Sequence, residues 1–317
     1  MVREGVRPSQ MSAATKTALI AKLSPQSCIV VETTSNAKTN GAALIAAYTA
    51  AKALTPNGEE LSATNRACVI IPPGNYDLDH GEDDACVPLT LDTEFVDIIG
   101  LTTDRSLQQI YGTPEATNSG VIVQTADDVH VSNLYVKILT EVESANWNNT
   151  DSAAYFPSTS LSNTVVDNCQ FDGQDGSNDE GPRLFSMRLY IEYSGTFNNC
   201  TGGNFAFGGA GGTASGTFTS CTGGYNAFGG AGTASGTFTN CTGGEAAFGG
   251  GGTASGTFTN CTGGDYSFGG AGGTLSGQLY YCRLTTGSFQ TLAEGGKLRA
   301  CVDGSDTFIA TLDYKAP

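Results

Sequence analysis

Residues 252–264 read GTASGTFTNCTGG. The stretch recurs as GTASGTFTSCTGG from Gly212, as GTASGTFTNCTGG from Gly232, and more loosely as GTLSGQLYYCRLT from Gly273. A period of this size marks a solenoid. Tetratricopeptide, ankyrin and HEAT units are longer, and FGGAGGTASG is a very poor helix. Leucine-rich repeats need leucines that the stretch lacks. What remains is a parallel β-solenoid, each coil two or three short strands joined by tight glycine turns.

Parity within the repeat assigns the faces. From Thr233 to Thr239 alternate side chains point to opposite sides. Ala234, Gly236 and Phe238 form the inward set, and Thr233, Ser235, Thr237 and Thr239 the outward one. Asn240 breaks the alternation because an amide side chain tolerates the left-handed backbone of a corner. Cys241 then turns inward as a small hydrophobe. Asn168, Asn199 and Asn260 precede cysteines in the same way. A second strand is predicted through AAFGG, with Phe248 inward like Phe207, Phe228 and Phe268. The predicted core is a stack of phenylalanines, cysteines and alanines, each on its counterpart about 4.8 Å away.

Cys200, Cys221, Cys241, Cys261, Cys282 and Cys301 are 21, 20, 20, 21 and 19 residues apart. Zinc sites use close pairs, which are absent from the sequence. The regular period makes these cysteines one position of a repeating coil, and it predicts a column of buried thiols rather than a disulfide framework.

Composition narrows the function. Forty-three glycines accompany an ordinary apolar content of 39%, so the 317-residue chain is a folded solenoid and not a flexible linker. Fifteen basic against thirty-one acidic residues give a net charge of −16, which repels nucleic acid and anionic membrane surfaces. No apolar run approaches the roughly 20 residues of a transmembrane helix. Lys16 and Lys22 interrupt the N-terminal apolar stretch, so no secretory signal is read there.

Upstream the coils continue with less regularity, in CVIIPPGNYDL (68–78), LTLDTEFVDIIGL (89–101), GVIVQTADDVHVSNLYVKIL (120–139), SLSNTVVDNCQFDG (160–173) and RLFSMRLYIEYSGTFNNC (183–200). An alanine-rich amphipathic helix is predicted at 41–55, starting after Asn40 and ending before Pro56, and a shorter one from Ala13 to Leu23. The expected organisation is an N-terminal arm at 1–27 and a capping segment at 28–66 that covers the open end of the solenoid. The β-helix follows at 67–303, with its regular glycine-rich coils at 195–282, and a polar tail at 304–317. Roughly ten coils are expected.

The alanine-rich helix, VIIPPGNYDL, VVDNCQFDG and SGTFTNCTGG together resemble the all-β, right-handed parallel β-helix superfamily typified by pectate lyases. The glycine-rich GGTASGTFTNC coils further resemble β-helical tailspikes and tail fibres of bacteriophages, including those of cyanobacterial hosts. The resemblance implies a virion protein, a homotrimer held to a tail or baseplate adaptor by the N-terminal arm, that recognises host surface polysaccharide and in some cases cleaves it. It implies no cofactor. The chain departs from many tailspikes in having no sizeable trimerisation domain after Cys301.

Chemistry is sparse in the sequence. His130 alternates with Val129 and Val131 and faces outward. His80 lies in the acidic loop YDLDHGEDDAC, a polar turn or a cation site. Glycan hydrolysis needs two carboxylates, about 5–5.5 Å apart for retention or 6.5–9.5 Å for inversion. The candidates are Asp172, Asp175, Asp179 and Glu180 in FDGQDGSNDEG, with Asp127 and Asp128 one coil earlier. The same stretch is a loose match to a calcium loop, without its closing Glu. A lyase would use Arg183 or Arg188 beside a carboxylate.

The repeats offer surfaces instead of catalysts. Outward Thr217, Thr219, Thr237, Thr239, Thr257 and Thr259, with Ser215, Ser235 and Ser255, make a flat hydroxyl face that serves solubility, subunit packing or ice binding. The pairs Asn204-Phe205, Tyr225-Asn226, Glu245-Ala246 and Asp265-Tyr266 change while their surroundings repeat. Tyr225, Asn226, Glu245, Asp265 and Tyr266 are therefore either glycan-binding residues or unconstrained turn tips. The leading expectation is glycan attachment by a phage appendage. The alternatives are a β-helical depolymerase and an ice-binding solenoid.

Overall fold

The computed structural model describes residues 27–114, 120–139, 152–157, 162–173, 184–187, 192–209, 211–270, 272–290 and 292–313. One long sheet organises them. Its parallel strands follow chain order from Cys28–Val30 through Ala67–Ile71, Val96–Gly100, His130–Ser132, Val165–Asp167, Thr196–Asn198, Thr217–Thr219, Thr237–Thr239, Thr257–Thr259 and Gln278–Tyr280 to Lys297–Val302. Each strand pairs with the one a coil later, as in Thr217↔Thr237↔Thr257. The chain is a parallel β-helix.

Two kinds of coil share this sheet. In the wide coils each turn adds a strand to a second sheet (Leu89–Leu91, Gly120–Gln124, Ser152–Pro157, Leu184–Met187) and to a third (Gly74–Asp77, Gln108–Gly112, Tyr135–Ile138, Gln170–Asp172, Thr201–Gly202). In the narrow coils a tight turn replaces the second sheet. A fourth sheet begins there, with Glu192–Tyr193, Thr213–Ala214, Thr233–Ala234, Thr253–Ala254 and Thr274–Leu275. The third face persists as single bridges, Thr201↔Thr222↔Thr242↔Thr262.

The inward set is buried as parity requires: Ala234, Phe238 and Cys241 are at most 1% exposed. Two columns of phenylalanine rings run up the narrow region. Phe197, Phe218, Phe238 and Phe258 stack at 4.8–5.0 Å, and Phe207, Phe228, Phe248 and Phe268 at 4.8–4.9 Å. The columns meet edge to face, as in Phe218–Phe228 at 80°. Such ring pairs add about 0.5–1.5 kcal/mol each beyond burial. The cysteines form the expected thiol column: Cys241 Sγ donates to Phe218 O at 3.3 Å and to Thr239 O at 3.5 Å, and its counterparts repeat the pattern. Burial pushes the Cys169 thiol well above its ordinary value, so it stays protonated.

Corners carry the left-handed residues. Asn133, Asn168, Asn199, Asn240 and Asn260 have φ between 49° and 59°. Their amides link coil to coil: Asn168 donates to Asn133, Asn199 to Asn168 and Asn260 to Asn240, each at 2.8 Å. Ser220, at φ 54°, interrupts the row.

Several expectations need correction. AAFGG is not a strand: Ala246, Phe248 and Gly249 are left-handed at φ 53°, 52° and 70°, and the chain turns there with Phe248 still inward. TASGTFT is two strands, because Ser235 and Gly236 form a corner whose amides both donate to Ala214 O at 3.0 Å. A Cβ on Gly236 would lie 2.1 Å from Gly216 O, so only glycine allows the coils this approach. The helix, α1, spans Ala37–Ala51 instead of 41–55. Asn36 is its cap, accepting from Thr39 N at 2.9 Å, whereas Asn40 is buried and donates to Asn75 O at 3.0 Å. The capping segment supplies the first strand of the long sheet, Cys28–Val30, which a disulfide from Cys28 to Cys68 ties to the second. The tail contains a strand, Phe308–Asp313, that pairs antiparallel with Lys297–Val302. Residues 1–26, including the predicted helix from Ala13 to Leu23, lie outside the described residues.

Candidate functional site

The third sheet places a polar and aromatic grid on the outside of the wide coils. Tyr76, Ile110, Val136 and Phe171 are fully buried, so the residues flanking them face out. Register aligns them in two columns, Asn75–Gln109–Tyr135–Gln170–Thr201 and Asp77–Tyr111–Lys137–Asp172. The Lys137 ammonium lies 5.3 Å from the centre of the Tyr111 ring and 5.6 Å from that of Tyr135, and donates to Gln109 Oε1 at 3.2 Å. The Tyr135 hydroxyl donates to Asp172 Oδ2 at 2.5 Å, and Gln170 Nε2 donates to the same oxygen at 3.3 Å.

Electrostatics keep both phenols protonated. Burial, with Asp172 beside it, pushes Tyr135 up to about 12. Burial, then Asp77 and Asp79, raises Tyr111. The grid thus presents ring surface, phenolic donors, one cation and two carboxylates on a rigid sheet. Such a mixture suits a sugar, which offers an apolar ring face and a rim of hydroxyls. The grid's own two carboxylates do not form a hydrolytic pair. Asp77 and Asp172 stand three strands apart in one column, about 14 Å by strand spacing, beyond the separation of either hydrolytic mechanism.

Of the predicted catalytic residues, Asp172 belongs to this grid, while Asp175, Asp179 and Glu180 lie outside the described residues, as do Arg183, Arg188 and the rest of the loose calcium loop. Asp127 and Asp128 do not join Asp172. Asp127 accepts from Ser162 N at 3.2 Å. Asp128 is held by Arg66 at 2.7 Å, and the same guanidinium takes Asp97 at 2.6 and 2.8 Å. That cluster clasps three coils of the long sheet. His130 stands beside it, 3.7 Å from Asp97 and facing out as predicted. The acidic loop near His80 is divided among separate partners: Asp84 pairs with Lys38, and Asp79 accepts from Thr113 N at 2.7 Å. His80 Nε2 is buried without a hydrogen-bond partner among the described residues.

Thr217, Thr237 and Thr257 align in one row and Thr219, Thr239 and Thr259 in another, bounded by Thr196 and Asn198 on one side and Gln278 and Tyr280 on the other. The variable pairs form a separate corner, where Tyr225 and Tyr266 are 42% and 46% exposed. Sequence reasoning missed Tyr111, Tyr135, Lys137 and Gln109. Their signal was alternation within QQIYG and YVKI, which becomes a site only when strands distant in sequence are placed side by side.

Among solved structures the chain is similar to pectin methylesterase PemA from Erwinia chrysanthemi, at 11% identity, covering 87% of this chain and 77% of that one with a TM-score of 0.38. It is similar to a pectin methylesterase in complex with a hexasaccharide, at 11% identity, over 72% of this chain and 65% of that one, with a TM-score of 0.36. It is also similar to ORF18 of Geobacillus virus E2, at 10% identity, over 95% of this chain and 64% of that one, with a TM-score of 0.40. The chain spans less than two thirds of the length of the last two. No protein-family model and no curated protein sequence matches the chain.

Proposed function

We propose that the protein is a bacteriophage tailspike or tail fibre that attaches the virion to a host surface polysaccharide through the outward face of the third sheet. The grid of Tyr111, Tyr135, Lys137 and Asp172 supports this reading: it offers stacking surface and hydrogen-bonding groups at fixed spacing. The glycine-rich coils, which resemble those of phage appendages, agree with it. In this reading residues 1–27 dock on a tail or baseplate adaptor, and three chains associate.

Binding to purified polysaccharide from susceptible cells tests the proposal. Tyr135→Ala and Lys137→Ala each weaken binding at least tenfold, about 1.4 kcal/mol, while the melting temperature holds and Tyr135→Phe retains most of the affinity. Undiminished binding by both alanine variants removes the third sheet as the site. Release of shortened glycan chains by the unaltered protein replaces simple attachment with depolymerisation. Light scattering checks the assembly: the expected mass is about three times the 32.6 kDa of one chain.

A further inference from the structure

Cysteine persists in this chain where its neighbours in the repeat change. Along one inward column Val166 gives way to phenylalanine from Phe197 to Phe258, and then to Leu279 and Leu298. The left-handed corner asparagine is replaced by Ser220, Tyr281 and Ala300. Yet from Cys169 to Cys301 the residue after that corner is cysteine in all seven coils. Shape does not demand it. One coil earlier Leu134 fills the same place, follows the left-handed Asn133 and is fully buried.

The seven sulfurs stand in line. The residue after each cysteine donates its N–H to the cysteine carbonyl one coil earlier, from Thr201 N to Cys169 O at 2.8 Å through to Val302 N to Cys282 O at 3.0 Å. Each Sγ lies against the same two carbonyls. One belongs to the residue two before it, at 3.2–3.5 Å. The other belongs to the preceding coil, at 3.2–3.7 Å. Identical placement repeats the sulfur at the rise of the coil, about 4.8 Å. These thiols are free and at most 1% exposed. Among the described residues no three His, Cys, Asp or Glu side chains are placed to hold one ion, so tetrahedral zinc has no ligand set. The column offers sulfurs in pairs instead. Half of one gap is about 2.4 Å, close to the roughly 2.3 Å of a metal–thiolate bond.

We propose that the thiol column binds soft monovalent cations that favour two ligands in a line, copper(I) and silver(I), one ion between each two successive sulfurs. Thiolate is the ligand such ions select. Each ion bonds to two sulfurs and displaces one thiol proton, which leaves for solvent, and every inner sulfur bridges two ions. Seven sulfurs enclose six gaps, so six ions replace six protons and one end sulfur keeps its own. The column stays uncharged inside an apolar core, whereas a divalent ion in every gap would bury an excess of positive charge. The S–H contacts given up are weak ones.

The test uses the full chain carrying Cys86→Ser, which removes the one free thiol outside the column. The folded protein is warmed with silver nitrate in chloride-free buffer and then desalted. About six silver ions stay with each chain, about one proton is released per ion, and the melting temperature rises. Cys301→Ala, at the end of the column, lowers the count by about one, and Cys241→Ala, in its middle, by about two, because two gaps lose a ligand at once. X-ray absorption finds two sulfurs around each silver. Without silver, both alanine variants keep the circular dichroism of the parent, which separates lost ligands from lost folding. No retained silver, equal losses in the two variants, or three or more sulfurs around each ion overturns the proposal, and none of these results bears on the third-sheet face.

Discussion

The wide coils, from Ala67 to Asp172, and the narrow coils, from Thr213 to Cys282, extend the same long sheet, but different forces join one turn to the next. In the wide region each turn has its own sequence, and charged side chains reach across several turns. Arg66 bonds to groups 31 and 62 residues away, and Arg105 to carbonyls 64 and 94 residues away. In the narrow region most residues lie on a copy of themselves, and packing of like on like replaces the clasps: ring on ring, thiol below thiol, Asn260 on Asn240. The cost of repetition is chemical. A position held by its own copies varies little, and the coils from Thr213 to Thr262 differ mainly at one corner. The wide coils, clasped from outside, are free to place tyrosine, lysine and carboxylate side by side.

Truncation at the centre of a ring column breaks the narrow coils first. Phe238 touches the rings of Phe218, Phe258, Phe228 and Phe248. Phe238→Ala costs about 3–5 kcal/mol, read as a lowered denaturation midpoint, and a loss under 1 kcal/mol would deny the columns their role. The equivalent break in the wide coils is Arg66→Ala, which leaves Asp97, with its side chain 10% exposed, without its guanidinium. That change costs about 3 kcal/mol or more. Adding Asp97→Asn to it recovers part of the loss, and no recovery would assign Arg66 a packing role only. The smallest effect sharpens the contrast. Ser220→Asn fills the gap between Asn199 and Asn240, matches a left-handed position and adds cross-coil amide bonds, so it raises stability by about 1 kcal/mol. An unchanged or lowered melting temperature would mean that the asparagine row follows the corner geometry without supporting it.

Legibility in the sequence tracks the same division. The faces of the narrow coils, the thiol column and the asparagine corners followed from parity and period alone, because a repeat states its rule several times. Phe248 and its counterparts in a left-handed turn did not, since aromatic side chains rarely accept positive φ and only the shared core position enforces it. The start of α1 was misplaced because Asn36 and Asn40 are the same residue type, and only the fold reveals that one caps while the other is buried against Asn75. The Cys28–Cys68 disulfide spans 40 residues with the helix between them, a separation that no period marks. At the site, Asp172 was visible as a carboxylate, but its partner Tyr135 sits 37 residues earlier and becomes its neighbour only through strand register.

Interchangeable turns also make this molecule a ruler. Thr237–Thr239 and Thr257–Thr259 present the same residues to their neighbours at the same register. Removing residues 233–252 would therefore rejoin Gly232 to Thr253 in a context each already occupies, shortening the rod by about 4.8 Å without a new contact to design. Length can change one whole turn at a time, through duplication or loss of a twenty-residue unit, while the wide-coil face stays as it is. Length is adjustable independently of the side chains that the wide coils present.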